Sequence, residues 1–134
     1  MNLTLSEECI IALRNDYKIY DEKETKEIFT SMLNQFPLTQ WGRIDWDNTG
    51  IQFKKVGSKE LSKLLNSTKN LDMNMYILWD EVSLPAVSTT LERFLNAIDD
   101  VTAVSFDTWI FCSESNYVIE FYHESEIRIG WKKV

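Results

Sequence analysis

The chain has 134 residues, 44% of them hydrophobic and 13% aromatic, enough to build one domain core without staples and too much for a disordered segment. Its formal net charge of -7 argues against direct contact with nucleic acid, which needs cations to displace counterions from phosphate, and against docking on anionic lipid. The charge is uneven: residues 1–36 carry -3, residues 37–74 carry +2 and residues 75–134 carry -6.

Met1–Asn2–Leu3–Thr4–Leu5–Ser6–Glu7–Glu8 is acidic rather than basic, with no apolar run behind it, and no stretch reaches the length of a membrane span. Cys9 and Cys112 are the two cysteines, and without a secretion signal they read as free thiols of a reducing cytoplasm. The expectation is a single cytoplasmic domain spanning residues 1–134.

The first helix is expected from about Ser6 to Asn15, with Thr4 and Glu7 spaced for a capping box. A second opens after Asp21, with Glu24 as reciprocal cap. Its apolar face is Ile28, Phe29, Met32, Leu33 and Phe36, and Pro37 ends it. Trp41, Ile44 and Trp46 alternate loosely with Asp45 and Asp47 in an extended segment, and Asn48–Thr49–Gly50 turns the chain into a strand, Ile51–Val56. Ser58 is read as the cap of a third helix through Leu61, Leu64 and Leu65, which fades in the polar run after it. Met75–Asp80 is an interior strand, apolar on both faces. Beyond Pro85, Thr89 with Glu92 suggests another capping box, opening a helix with Leu91, Phe94, Leu95 and Ile98 inward. Trp109–Cys112, Tyr117–His123 and Ile127–Trp131 are strands joined by loops short enough for antiparallel hairpins. The expected architecture is α+β: a mostly antiparallel sheet of about five strands with about four helices, in the order ααβαβαβββ.

No catalytic set emerges. His123 is the single histidine, which excludes a multi-histidine zinc centre; with Cys9 or Cys112 it could form a nucleophile–base pair, against the plainer reading of a buried thiol near an imidazole. The four glycines stand alone, so no phosphate-cradling loop exists. Close acidic pairs such as Asp45/Asp47, Asp80/Glu81, Asp99/Asp100 and Glu124/Glu126 could hold a divalent cation or share acid–base work, but such pairs are mostly solvated charge. No cofactor or metal is expected. Asp99–Asp100 stands out because it falls toward the C-terminal end of its expected helix, where the dipole disfavours anions.

What does recur is acid beside aromatic. Trp46 lies between Asp45 and Asp47, Trp79 precedes Asp80 and Glu81, Asp107 sits two before Trp109, and Tyr122 leads into Glu124 and Glu126. Large rings rimmed by acids suit a basic protein partner. These thirteen residues, with Asp99 and Asp100 counted among them, form the expected partner-binding set.

On Trp79–Asp80–Glu81 at a strand end, and on the hairpin Ile119–Glu120–Phe121–Tyr122–His123–Glu124–Ser125–Glu126–Ile127–Arg128–Ile129–Gly130, the chain resembles the immunity proteins of polymorphic and contact-dependent inhibition toxin systems. That resemblance implies a non-enzymatic protein in tight complex with a cognate toxin, often a basic nuclease, whose active site is covered or distorted. A cytoplasmic interaction or adaptor domain with no toxin partner, or an enzyme of unfamiliar type, stays open on the residues alone.

Overall fold

The computed structural model describes residues 3–67, 71, 73–81, 83–123 and 126–132. Local chemistry sets the first two helices where the caps predict. Thr4 and Glu7 close a capping box on α1 (Leu5–Ala12), and Asp21 and Glu24 close another on α2 (Glu22–Gln35). Between them the chain makes a short strand, β1 (Tyr17–Ile19). Strand β2 (Ile51–Val56) has the predicted bounds, and α3 (Ser58–Asn66) follows it. Its N-cap is Gly57, with no side-chain cap bond, so Ser58 is the first helical residue rather than the cap.

Strand β3 (Asn74–Trp79) is followed by β4 (Val87–Thr90), where a helix start was expected. Thr89 lies within β4, its hydroxyl donating to the Asp16 carbonyl. The cap is Thr90, one residue later, whose hydroxyl accepts from the Arg93 amide. The helix that follows is broken: α4 (Leu91–Asn96) stops, Ala97 takes φ -131°, and α5 (Ile98–Thr102) restarts the chain. Asp99 and Asp100 therefore occupy the first turn of α5, where the dipole favours them. The supposed anomaly came from reading two short helices as one.

Strands β5 (Thr108–Cys112), β6 (Tyr117–Tyr122) and β7 (Glu126–Lys132) complete one seven-stranded antiparallel sheet in the order β1-β4-β3-β5-β6-β7-β2. The α+β class holds, with all five predicted strands present. Strands β1 and β4 and the split of one helix into two are additions, making five helices among the described residues. β1 is three exposed residues, too short to show alternation, and β4 was hidden by the capping motif inside it.

Alternation along each strand sorts the side chains onto two faces. One face carries Met75, Ile77, Trp79, Ile110, Ile119 and Phe121 and packs with Cys9 and Leu13 of α1, Leu61 and Leu65 of α3, Phe94 of α4 and Val101 of α5. The other carries Leu78, Trp109, Phe111 and Val118 and packs with Met32 and Phe36 of α2 and with Ile44 and Trp46 of the long connection to β2. Both faces being covered explains why β3, β5 and β6 are largely apolar on both faces, the buried Glu120 of β6 being the marked exception. The pairings Trp79↔Thr108, Thr108↔Phe121 and Tyr122↔Glu126 bring the end of β3, the start of β5, the end of β6 and the start of β7 to one edge of the molecule.

Candidate functional site

At that edge the chain leaves the sheet after Trp79 and forms one wall of a cleft, with α2 as the other. Phe29 and Leu33 of α2, Leu84, Pro85 and Trp109 supply apolar lining, and Glu22, Asp80 and Glu81 bring acids to it against the single cation Lys26; the cleft volume is about 970 Å³. Asp80 is held in place: its Oδ1 accepts from the Ser105 hydroxyl at 2.6 Å and the Asp107 amide at 3.0 Å. Glu81 is exposed, its carboxylate accepting at 3.2 Å from the nearby Ser83 hydroxyl. Four of the expected residues, Trp79, Asp80, Glu81 and Trp109, thus meet along one cleft.

The ring side chains of the expected set do not form a surface. Trp46, Trp79 and Trp109 are 6%, 2% and 2% exposed. Trp79 donates its indole N–H to the Val101 carbonyl at 3.0 Å, which fastens α5 to the end of β3. Asp107 is buried too. Its Oδ1 accepts from the His123 amide at 2.8 Å and faces the His123 Nδ1 at 3.0 Å, closing the end of β6 onto the start of β5. Tyr122 is half-buried, with the Arg43 guanidinium 4.2 Å from its ring centre. Glu126 is paired with Arg43, Lys55 and Arg128. The bonds from Lys55 and then Arg43 hold its carboxyl below the usual range. Acids such as Asp80 and Glu81 were legible as surface but Asp107 was not, and the rings beside them supply the area that a core buries first.

Of the remaining acids, Asp99 and Asp100 are exposed on α5 and Asp47 is exposed far from them. Asp45 and Asp47 precede β2, whose first residue pairs with Lys132 at the end of β7 opposite Glu126. Asp45 is half-buried. Glu124 lies outside the described residues.

Beside the cleft stands a feature the sequence reading missed. The segment between α2 and β2 is a small hairpin closed by the Leu38↔Ile44 bridge and by the Thr39 amide donating to the Arg43 carbonyl at 2.7 Å. Its tip turns where the Gly42 amide donates to the Thr39 carbonyl at 3.0 Å; Gly42 takes φ +81°, a conformation that favours glycine. The stem is clamped to the sheet by one carboxylate. Glu120, 1% exposed, accepts through Oε1 from Arg43 Nη2 at 2.9 Å, Arg43 Nε at 3.2 Å and Trp46 Nε1 at 2.9 Å. Through Oε2 it accepts from the Ile44 amide at 2.7 Å and Trp109 Nε1 at 3.1 Å. A buried carboxylate is tolerated only when so completely bonded. Burial works against the Arg43 cation, but the bonds to Glu120 and Glu126 outweigh it and hold its pKa above the ordinary arginine value. Trp46 reaches this position because Gly130 leaves room: a Cβ there would collide with the Trp46 ring.

At the hairpin tip Trp41 is 78% exposed, and beside Asp107 the ring of Phe106 is 81% exposed. Neither was expected as a binding residue. The available signals were a tryptophan between Gln40 and Gly42 in a turn, and a charge, Glu120, inside a strand with apolar residues on both sides.

Both thiols are free and buried. Burial, and for Cys9 also the charge of Asp100, pushes both up to about 12. β5 and β6 are adjacent, as a Cys112–His123 pair would need. But Cys112 pairs with Tyr117 at the far end of β5, on the order of 13 Å along the strand from the end that holds His123. Among the described residues no group of three or more His, Cys, Asp or Glu is placed to hold a metal ion, and no helix is long and apolar enough to cross a membrane.

The fold thus presents an acidic cleft and, beside it, an indole held out in water. Over residues 3–130 the chain matches the family model described as "CdiI immunity protein EcoliA0-like", and it belongs to that family. It is an immunity protein of contact-dependent inhibition, a role that implies binding to a cognate toxin. No curated protein matches the chain.

Proposed function

We propose that this immunity protein neutralises its toxin by occupancy rather than catalysis, binding through the acidic end of the sheet a basic toxin of the nuclease type in the cytoplasm. The observation that carries this reading is the cleft between α2 and residues 79–81 and 83–85, with Glu22, Asp80 and Glu81 lining it. A toxin that grips nucleic acid carries a positive groove. Carboxylates on a fixed backbone stand in for phosphate there, steer the encounter and exclude like-charged partners. Asp99 and Asp100 on α5 extend the acidic surface from the other face, since the Trp79 indole ties α5 to the same edge. Asp45, half-buried, and Asp47, exposed, lie on the connection before β2 and do not line this cleft.

The test is the triple variant Glu81→Lys, Asp99→Lys, Asp100→Lys, with its cognate toxin in stopped-flow association at low and high salt. All three side chains are exposed, so the fold should stand. Association at low salt should slow by roughly tenfold or more, with a flatter salt dependence. Cells carrying the variant should lose protection against the toxin. An unchanged low-salt on-rate would remove this surface from the interface.

A further inference from the structure

Resting on the toxin-binding reading above, we infer that Trp41 is a pre-organised anchor that seats in an apolar socket of the toxin rimmed by cations, and that Glu120 is the residue that positions it. A free indole in water is not unusual by itself; what distinguishes this one is how firmly its backbone is held. The Trp41 amide donates to the Thr39 hydroxyl at 3.2 Å, and the Gly42 amide closes the turn behind it. Two and three residues on, Arg43 and Ile44 are bonded to the buried Glu120. Arg43 is further fixed by Glu126 at 3.2 Å and by the Tyr122 ring beneath it. The backbone that carries the ring therefore cannot move away without breaking a buried ionic network.

Such an arrangement keeps a large apolar surface exposed in the free protein and loses little conformational freedom when it docks, which is the property of an interface hot spot. The chemistry of the socket follows from the neighbours. Gly42, next in the chain, lines the cleft together with Asp80 and Glu81. A partner surface that accepts the indole must face those carboxylates, so its rim is basic. This commits the occupant to the cationic toxin rather than to a second copy of this acidic chain, whose net charge is -7.

The experiment uses the full chain with its cognate toxin. Trp41→Ala should melt like the parent, because the side chain packs on little, yet raise Kd by roughly 30-fold or more; Trp41→Phe should recover part of the loss. Glu120→Gln, checked by circular dichroism to be folded, should also weaken binding. In a Trp41→Ala background it should add little, because an unseated hairpin matters only if it carries the ring. A Trp41→Ala variant within about threefold of the parent in Kd, well below the loss a hot spot gives, would overturn the anchor. If the Glu81, Asp99, Asp100 triple variant still slowed association in that case, the acidic-surface reading would stand without it. Equal losses from Glu120→Gln in both backgrounds would overturn the positioning role. A free chain that sediments as a dimer and becomes monomeric on Trp41→Ala would assign the ring to self-association and overturn the proposal as well.

Discussion

Removing the Glu120 carboxylate tests whether one side chain holds the 37–50 segment on the sheet. Glu120→Ala takes away the acceptor for the Ile44 amide and for the Trp46 and Trp109 indoles, and leaves Arg43, whose side chain is 20% exposed, with Glu126 alone. Each buried donor stripped of its partner costs about 1–3 kcal/mol, and breaking a buried ion pair from one side typically costs about 3–5 kcal/mol. These figures describe overlapping losses, and water entering the vacated space offsets part of them, so about 3–5 kcal/mol is the expected total. For a domain of this size that corresponds to roughly 10–20 °C in Tm. Glu120→Gln keeps the shape and one oxygen. Either orientation turns the amide NH₂ toward donors, toward Arg43 and Trp46 or toward Ile44 and Trp109, so about 1–3 kcal/mol is expected. Urea unfolding followed by circular dichroism measures both, and native tryptophan fluorescence should change because two indoles lose their carboxylate partner. If Glu120→Ala and Glu120→Gln both fell within about 0.5 kcal/mol of the parent, the range of an ordinary surface change, the network would not be holding the segment.

Gly130→Ala should destabilise by about 1–3 kcal/mol, since the new methyl must displace the buried Trp46 ring; a thermal melt equal to the parent would contradict the close approach. Cys9 and Cys112, buried and shifted up to about 12, should resist alkylation at pH 8 in the native state. Labelling should appear in urea in step with unfolding, and rapid native labelling at either would refute the burial. Glu126 has its carboxyl lowered in the fold by Lys55 and Arg43 from the ordinary glutamate value of 4.5. Its contribution to stability is therefore complete above that value and is lost as pH falls through the folded pKa. Glu126→Gln should make the acid side of a stability–pH curve shallower below pH 4.5, and an identical acid limb would show that the cluster adds nothing.

What the sequence disclosed depended on how local the determining contact is. The two opposed faces of β3 were readable because Met75, Ile77 and Trp79 alternate with Tyr76 and Leu78, and the structure places them in two different core clusters. The caps at Thr4 and Asp21 involve partners three residues away and were equally readable. Glu120 was not, because a lone acid in an alternating strand looks like the wet face. What covers it is a hairpin more than 70 residues earlier, and no local pattern announces that. The candidate site divides the same way. Asp80 and Glu81 follow a recognisable strand end, whereas Trp41 and Phe106 gain their meaning from what the fold leaves uncovered.

The strand order also constrains assembly in time. β5, β6 and β7 are successive and joined by short turns, so they can zip together locally. β2 waits: its only partner among the described residues is β7, more than 70 residues further along the chain, and closing so large a loop opposes early pairing. Until the residues through 132 have been synthesised, β2 has no ladder to join, and until β6 has been made the segment that carries Trp41 has no Glu120 to rest on. The acidic wall at Asp80 and Glu81 precedes Glu120 in the chain, so the hairpin tip can be clamped only after that wall has been made. A ribosome-bound chain stopped short of β6 should therefore lack the tip's geometry even where β3, β4 and β5 have formed.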